Sequence, residues 1–442
     1  MAFGETALGE ALAALPANRG WAVAFSGGGD STALLHALYR SRPAAPIRVL
    51  HVHHGLHPAA DDWAEHCRVE AERLGLPYVC FRVDATAGAR EAPEGVAREA
   101  RYHALQRALS PGEVLLTGHH ADDQAETVLL QLMRGAGPRG LAGMPRHRPL
   151  GVGWLGRPLL EWGRAELHDW LGAEGLSWIE DPGNKRPEPE RNFVRHAILP
   201  RMARRRPGVA SAMARSARLV AGAAEAERER ADGDLARLAF ADGGLDVLGL
   251  ATLHRERALT VLRRAIERQG IAGPNSRRLA TILDCVTTAG NDAAPRVVWN
   301  GGEARRHRNR IVLLPPLPPP PPRVEWQPGE PVAWSGGEVE ATSLSGEGFH
   351  LPPGYGPVQL APARPGERLR LAEGRQRIVE LLRQAGVPPW LRPYWPVVHG
   401  PEGPLALAGI ATAVDALARP GQPGWVVRFR PSIASGGEKF EN

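Results

Sequence analysis

The sequence predicts an α/β fold, in which a doubly wound parallel sheet is followed by a helical domain and a small strand-rich C-terminal domain. Three observations support this prediction. Short apolar runs alternate with helical patterns through the first half, helical patterns predominate after about Pro200, and a proline run precedes a remainder rich in strand patterns. A chain of 442 residues with 43% hydrophobic content is long enough for two or three domains.

Four apolar runs in the first half have the length and composition of buried strands. They are AVAF at 22–25, IRVLHV at 47–52, YVCFRV at 78–83 and EVLLTG at 113–118, and a helical segment follows each. The first two of these helices are predicted at 31–40 and 59–74. This alternation predicts parallel strands with helices on both faces. Ligands of such a sheet bind beyond the carboxyl ends of its strands.

The second half begins with helical patterns at 211–237, 259–268 and 276–286, and a further helix is predicted at 376–385. Residues 296–314 predict a hairpin that turns at 300–302 and has a strongly basic second strand. PPLPPPPP at 315–322 favours an extended spacer, although proline-recognising domains also bind such runs. The predicted domains are 1–204 for the parallel sheet, 205–314 for the helices, 315–323 for the linker and 324–442 for the C-terminal domain.

The charged residues favour a polyanionic partner. Lysine and arginine together number 54 against 48 acids, and Lys185 and Lys439 are the only lysines. Guanidinium groups hold phosphates bidentately and stack on bases, so this composition suits RNA. A GC-rich genome that encodes arginine for any surface cation explains the same composition equally well. Basicity alone therefore does not identify the partner.

The cysteines and the N-terminus indicate a soluble cytoplasmic protein. Cys67, Cys80 and Cys285 form no CxxC pair and cannot make a full set of disulfides. Cys67 shares a helical face with Trp63 and Ala71, which predicts a small buried hydrophobic side chain. No secretory leader and no run long enough to span a membrane is evident, so no membrane partner is expected.

A glycine loop between the first strand and its helix is the most informative segment. In this position the backbone N–H groups and the helix dipole form a site for an anion such as a phosphate chain. The loop lacks the lysine of the GxxxxGK[ST] motif and the spacing of the GxGxxG motif. Taken alone, such a Gly/Ser sequence is also typical of a flexible turn. Its residues are Ser26, Gly27, Gly28, Gly29, Asp30 and Ser31.

A second cluster of polar residues, TGHHADDQAET at 117–127, stands at the end of the fourth strand. If a helix begins near Ala121, Asp123 and Glu126 share one of its faces. Together with Asp30, these acids could hold Mg²⁺ on a triphosphate. Acids also cap helix N-termini, but capping accounts for one acid and not for three acids with two histidines.

These segments carry a family resemblance. SGGGDS resembles the PP-loop, SGGxDS, of the ATP pyrophosphatases, which split ATP between the α and β phosphates and transfer AMP to a substrate oxygen. HHGL at 53–56, AREARY at 97–102, TGHHADDQAETVLLQLMRGAGPRGLAGM from 117, RPLL at 157–160 and WIEDPGN at 178–184 resemble successive motifs of the tRNA(Ile)-lysidine synthetases. The resemblance covers the whole first domain. ARPGERLRL and IVELLRQAGVPPWLRPYWPVV resemble the C-terminal domain of that family.

The resemblance implies a reaction and a set of partners. Enzymes of this family use ATP to adenylate the wobble cytidine of the tRNA(Ile) with a CAU anticodon, and free L-lysine then displaces AMP to give lysidine. ATP and Mg²⁺ are the implied cofactors. Whether the chain forms a homodimer is left open.

The resemblance also implies roles for individual residues. Ser26 to Ser31 would hold the phosphates, His51, Val52 and His53 would lie near adenine, and Asp30 and Asp123 would bind Mg²⁺. His119, Asp123 and Glu126 would surround the cytidine and the incoming lysine, and an acid there could accept a proton from the attacking amine. Arg98, Arg101 and Arg195 match family arginines near phosphate or RNA, although single arginines are commonly surface ion-pair partners. The basic stretch 305–310 is a further candidate RNA contact or a charged edge strand.

The sequence departs from the family at three places: His57 replaces a frequent arginine, DPGN replaces DxSN, and 375–377 lacks the usual lysines. Other functions remain open. A tRNA thiolase would use the same loop but needs paired cysteines or an iron–sulfur cluster, which three scattered cysteines suit poorly. An ammonia-transferring ligase would need a glutaminase, for which no motif is evident. A non-catalytic tRNA-binding protein would show no ATP turnover.

Overall fold

The computed structural model describes residues 2–53, 55, 58–83, 93–180, 190–241, 244–290, 293–334 and 337–431, with the backbone alone for 93–98. The chain divides into two compact units, Met1–Ala226 and Glu227–Asn442. The three predicted boundaries between domains remain predictions.

The first unit is built from alternating strands and helices, as predicted. Its elements are α1 (Glu5–Ala13), β1 (Gly20–Ala24), α2 (Gly29–Arg40), β2 (Ile47–His53), α3 (Ala60–Arg73), β3 (Tyr78–Arg82), α4 (Pro93–Ala108), β4 (Glu113–Leu116), α5 (Ala121–Met133), α6 (Pro138–Leu141), β5 (His147–Leu150), β6 (Gly153–Gly156), α7 (Arg164–Ala173), α8 (Glu190–Phe193), a π-helix (Val194–Ile198), α9 (Leu199–Arg205) and α10 (Val209–Leu238). The last helix crosses the boundary between the units.

A six-stranded sheet forms the centre of the first unit, in the order β3-β2-β1-β4-β6-β5. All neighbouring pairs are parallel except β5 with β6, an antiparallel edge that the sequence pattern did not predict. From β1 the chain adds β2 and β3 on one side of the sheet and then β4 and β6 on the other. The carboxyl ends of β1, β2 and β4 therefore form the topological switch point, where ligands bind in such sheets.

Alternating side chains of the strands bury two apolar layers, one on each face. Val23 of β1 packs in a cluster with Leu34, Leu35 and Leu38 of α2, whereas Ala22 packs in a cluster with Leu105 of α4. Each fully buried leucine contributes roughly 1.5–3 kcal/mol to folding. The predicted helices on both faces are confirmed, and they hold the loop after β1 between two rigid elements.

The second unit begins with helices that pack on a small antiparallel sheet. Its first elements are β7 (Leu245–Asp246), α11 (Val247–Ala251), α12 (Arg255–Arg268), α13 (Ser276–Thr288), β8 (Arg296–Trp299), β9 (Gly302–His307) and β10 (Arg310–Leu314). The predicted turn at 300–302 is confirmed, but the predicted single hairpin is wrong. A second turn follows β9, where Arg308 has a φ of 55°, so the basic stretch is divided between two strands.

The remainder of the second unit is rich in strands, as predicted. Its elements are β11 (Val324–Trp326), β12 (Val332–Trp334), β13 (Gly337–Ser345), β14 (Val358–Pro362), β15 (Arg368–Leu371), β16 (Gly374–Arg377), α14 (Ile378–Gln384), β17 (Pro396–Gly400), β18 (Gly403–Leu407), β19 (Ala411–Thr412) and β20 (Pro423–Pro431), with short 3₁₀ turns at Arg392–Tyr394 and Val414–Ala416. Leu317 of the proline run packs against the core of these strands, and the hydroxyl of Tyr394 donates to the carbonyl of Pro318. Among the described residues, no helix has the length and apolarity needed to cross a membrane.

Candidate active site

A cavity of about 680 Å³ opens at the carboxyl ends of β1, β2 and β4. Two of the sequence-predicted residues, Gly27 and Glu126, do not line it, and the side chain of Arg98 lies outside the described residues. His57 and the DPGN segment lie outside them as well. The other predicted residues line the cavity together: Ser26, Gly28, Gly29, Asp30, Ser31, His51, Val52, His53, Arg101, His119, Asp123 and Arg195.

The glycine loop is fixed by its own hydroxyl groups. The hydroxyl of Ser31 donates to the carbonyl of Gly28 at 2.9 Å and lies 3.1 Å from the hydroxyl of Ser26. Gly28, the N-cap of α2, provides no side-chain cap, so the first N–H groups of this helix are open to a ligand. Together these features form a preorganised anion site at the cavity wall.

Gly27 connects the loop to the segment after α7. Its φ of 80° favours glycine, and a Cβ at this position would lie 2.6 Å from Cδ1 of Ile179. The backbone N–H of Ile179 donates to the carbonyl of Gly27 at 2.9 Å. The close approach of Ile179 therefore requires that residue 27 has no side chain.

Asp30 is surrounded by nitrogen atoms. Its Oδ2 lies 3.4 Å from Nε2 of His120 and 3.5 Å from Nη2 of Arg164, and its Oδ1 lies 3.6 Å from Nε2 of His168. Burial alone would raise the pKa of this carboxyl, but the contacts of the two histidines and the charges of His120 and Arg164 lower it far below its usual range. Asp30 is therefore ionised. Among the described residues its buried Oδ1 has no hydrogen-bond partner, since Nε2 of His168 at 3.6 Å is too distant to donate.

His120 joins Asp30 to α5. It is the N-cap of that helix: its Nδ1 accepts from the N–H of Asp122 at 3.2 Å, and its own N–H donates to Oδ2 of Asp123 at 3.1 Å. Its Nε2 lies 3.4 Å from both Asp30 and Asp123. Burial opposes protonation of His120, whereas the surrounding carboxylates raise its pKa. Nδ1 accepts the N–H of Asp122 only while the ring is neutral, so protonation of His120 would break this cap. Asp123 therefore does cap the helix, as the alternative interpretation of these acids proposed. Capping does not explain the contact between His120 and Asp30.

Asp123 and Glu126 share one face of α5, as their spacing predicts, but they face two arginines. Nε of Arg191 donates to Glu126 at 2.7 Å, and Nε of Arg195 donates to it at 2.6 Å. Oδ1 of Asp123 accepts from Arg191 at 3.3 Å and from Arg195 at 3.1 Å. Glu126 is 1% exposed, so it lies behind these guanidinium groups.

The histidines of the cavity are held by oxygen atoms. Nδ1 of His119 lies 2.8 Å from the hydroxyl of Thr117, and Nδ1 of His51 lies 2.9 Å from the carbonyl of Phe25. Nε2 of His53 lies 3.3 Å from Oδ1 of Asp61. These contacts orient the three rings at the cavity wall.

Sequence reasoning assigned no role to Arg164, His168 or His120, which all approach Asp30. Arg164 and His168 are four residues apart on α7, and this i,i+4 spacing is the one signal that places them on a common face. Nothing in the sequence indicates that this face lies against the glycine loop.

The basic stretch in the second unit has structural partners. Arg306 is 4% exposed and donates to the carbonyls of Val286, Ala289 and Arg308. Arg305 donates to the buried carboxylate of Glu303 at 2.6 Å. Arg306 is therefore not a candidate RNA contact, because its guanidinium is buried on backbone carbonyls, and for the rest of the stretch RNA contact stays a prediction.

The acids of the cavity differ in how well they suit Mg²⁺. The buried, ionised Oδ1 of Asp30 without a donor suits a hard cation, whereas both oxygens of Asp123 already accept N–H groups. Within the described part of the chain, no three His, Cys, Asp or Glu side chains form a ready metal site. Asp30 therefore fits the ion better than Asp123 does.

Models of known protein families match three successive segments of the chain. Family models match as a PP-loop domain over residues 5–202, a TilS substrate binding domain over 245–312 and a TilS substrate C-terminal domain over 358–429. The PP-loop match supports ATP binding at the glycine loop.

Curated relatives match almost the full length. A tRNA(Ile)-lysidine synthase of Alkalilimnicola ehrlichii is 42% identical over 93% of this chain and 94% of the relative. Enzymes of the same name from Methylococcus capsulatus and Pseudomonas aeruginosa are each 39% identical, over 85% and 97% of this chain and 88% and 97% of their own lengths. With this identity over this length, the chain belongs to the tRNA(Ile)-lysidine synthase family.

Proposed function

We propose that this protein ligates free lysine to C2 of the wobble cytidine in tRNA(Ile) with a CAU anticodon, and that it consumes ATP and releases AMP and pyrophosphate. The observation that carries the proposal is the convergence of the glycine loop, the end of β2 and the 117–127 segment on one cavity. Family membership over nearly the whole chain supports the same reaction. The three cysteines are free, which agrees with a cytoplasmic location.

Two bonds are made and two are broken in this reaction. The O2 atom of the cytidine attacks the α-phosphorus of ATP, and pyrophosphate leaves. The ε-amine of lysine then attacks C2, a C–N bond forms and the C–O bond to AMP breaks. The nitrogen begins as an ammonium group, gives up two protons in this step and keeps one hydrogen in the product. The N–H groups at the start of α2 would hold the phosphates, and the end of β2 at His51, Val52 and His53 would lie near adenine.

The acids and arginines of the cavity have proposed roles in these steps. Mg²⁺, held by Asp30 with Asp123 as the second candidate ligand, would neutralise charge on the phosphates. His119 and Asp123 line the cavity and would orient the lysine and accept its proton. Glu126 would complete the acid set from behind Arg195, without contacting the lysine. Arg101 and Arg195 also line it and would contact phosphate or RNA, as would Arg98.

The decisive test is the fate of labelled lysine. We expect that incubation of CAU-anticodon tRNA with enzyme, ATP, Mg²⁺ and isotopically labelled lysine places the label in one modified cytidine, as measured by mass spectrometry of the nucleosides. A tRNA with uridine at the wobble position is the matched control and should remain unlabelled. Modification that incorporates sulfur or ammonia and needs no lysine would reject the proposal.

The cysteines do not favour the alternative of tRNA thiolation. Cys67, which lies nearest the loop at 3.2 Å from the position of a Cβ on Gly27, is fully buried, as predicted. Burial raises the pKa of its thiol to about 12, so the thiolate needed for sulfur transfer is scarce at neutral pH.

We further propose that the C-terminal domain binds tRNA through the hairpin of β15 and β16. Arg368 pairs across the strands with Arg377, and Arg370 pairs with Arg375, so four exposed guanidinium groups share one face. Like charges opposite each other destabilise a hairpin. Only Arg370 has an ion-pair partner among the described residues, Asp415 at 3.1 Å. A phosphate backbone would relieve this repulsion.

The double replacement of Arg375 and Arg377 by serine should weaken tRNA binding about 10-fold. The slope of the logarithm of the binding constant against the logarithm of the salt concentration should become shallower by about one to two, because fewer counterions are released when fewer phosphates are contacted. Binding is measured by fluorescence anisotropy over a salt series. The control removes the same charge at Arg383 and Arg430, whose guanidinium groups already pair with Glu380 and Glu340. Equal weakening by both double variants would contradict a specific role for the hairpin.

A further inference from the structure

The ion-pair cluster on α5 has an inner and an outer layer. Glu126 is 1% exposed and does not line the cavity, whereas Arg195, which contacts it, does line the cavity. A ligand in the cavity therefore meets the guanidinium group before it can reach the carboxylate.

The contacts of Arg195 leave one of its nitrogens unused. Its Nε donates to Oε1 of Glu126 at 2.6 Å, and its Nη2 donates to Oε2 of Glu126 at 3.0 Å and to Oδ1 of Asp123 at 3.1 Å. Within the described part of the chain, its Nη1 has no hydrogen-bond partner. The two acids thus bind the Nε and Nη2 edge of the guanidinium group and leave the two N–H bonds of Nη1 for a ligand.

The backbone under Arg195 is unusual. Arg195 lies in the π-helix Val194–Ile198, a rare conformation that is often found at functional sites. Val194 is fully buried in a small cluster with Ala125 of α5, which anchors the π-helix on the helix that carries both acids. The guanidinium position is therefore set by packing as well as by the ion pairs.

We infer that Glu126 is a positioning residue that acts through Arg195, and that Nη1 of Arg195 binds an oxyanion of the reacting nucleotide. The inference rests on the proposed function and deepens it by assigning Glu126 to the adenylation step. The reacting end of lysine carries an ammonium group that this guanidinium would repel, whereas the phosphate oxygens of ATP and of the adenylated cytidine attract it. Glu126 fixes the position of the positively charged guanidinium of Arg195 before the nucleotide binds, so this side chain need not move during the reaction.

Separate assays of the two half-reactions test this assignment. In single-turnover experiments with CAU-anticodon tRNA, ATP and Mg²⁺ but no lysine, Arg195→Ala should slow pyrophosphate release by about 10²–10³-fold, since it removes an oxyanion donor. Glu126→Gln should slow it by about 10–10²-fold, because the guanidinium is less well placed. The KM for lysine should stay within about twofold, since neither change removes a lysine contact.

A double-mutant cycle separates positioning from a general structural role. If Glu126 acts through Arg195, adding Glu126→Gln to Arg195→Ala should slow adenylation no further. Arg191→Ala is the comparison variant, because Arg191 contacts the same two acids but does not line the cavity, and it should slow adenylation less than Arg195→Ala. Circular dichroism and thermal unfolding establish that each variant is folded.

Two results would overturn the inference. One is a Glu126→Gln enzyme with normal adenylation and a KM for lysine raised about tenfold or more, which is the signature of a lost ground-state contact to the ammonium. The other is full additivity in the cycle. Failure of the wild-type enzyme to incorporate lysine would instead reject the proposed function itself, so the two failures are distinguishable.

Discussion

Replacement of Asp30 by asparagine is expected to reduce AMP formation by about 10³-fold or more while the protein remains folded. Asparagine keeps the size of the side chain and one acceptor oxygen but removes the negative charge. The buried Oδ1 of Asp30 has no hydrogen-bond donor in the described part of the chain, so it is an acceptor at the glycine loop that suits a divalent cation. Without this charge, the cation that neutralises the phosphates would lose its best ligand.

The control for this variant is Asp169→Ala, an exposed acid on α7 that does not line the cavity. It should leave AMP release within about twofold of the wild type, as surface substitutions usually do. AMP release is measured with and without lysine at saturating ATP, and a titration with Mg²⁺ separates weaker metal binding from loss of chemistry. Near-normal AMP release from folded Asp30→Asn would remove Asp30 from the metal site.

The parallel sheet and its loops were predictable because their signals are local. Apolar runs of strand length marked β1, β2, β3 and β4, and the glycines between β1 and α2 marked an anion site before any contact was known. The ends of neighbouring parallel strands meet at one edge of a sheet, so the convergence of Asp30 and His119 on one cavity followed from topology.

The direction in which Glu126 faces was not predictable, because it depends on residues far along the chain. The spacing from Asp123 placed both acids on one helical face, but their partners Arg191 and Arg195 lie 65 and 69 residues beyond Glu126. The position of His120 between Asp30 and Asp123 likewise depends on how the starts of α2 and α5 meet at the ends of the paired strands β1 and β4. Periodicity reports which residues share a face and not what covers it.

The basic stretch of the second unit illustrates the same limit for charge. Arg305, Arg306 and Arg310 resemble an RNA-binding strand in the sequence, yet Arg306 donates to three backbone carbonyls and Arg310 stacks on Phe240 at 4.2 Å. Arginine satisfies buried carbonyls as readily as it binds phosphate. The arginines of β15 and β16 show the opposite case. Their like charges lie directly opposite each other, and this pairing depends on the strand register, which the sequence does not specify.

Replacement of Gly27 by alanine is expected to reduce ATP turnover by about 10²-fold, because two independent constraints act on this residue. A φ of 80° costs an alanine roughly 1–2 kcal/mol. The added Cβ would also lie 2.6 Å from Cδ1 of Ile179, 3.2 Å from Sγ of Cys67 and 3.3 Å from Cδ2 of His66. Cys67 is fully buried and Ile179 is hydrogen-bonded to Gly27, so the loop itself must shift.

Two further glycines separate these constraints. Gly75→Ala introduces the strain of a φ of 68° where no atom lies within 4 Å of the new Cβ, so it should lower stability by about 1 kcal/mol and leave turnover unchanged. Gly222→Ala, inside α10 with open space around it, introduces neither constraint and should raise stability by about 0.5–1 kcal/mol. Thermal unfolding and steady-state AMP release are measured for all three variants. A Gly27→Ala enzyme that loses stability as Gly75→Ala does but retains full turnover would mean that the loop tolerates displacement, and the placement of its N–H groups would then not limit phosphate binding.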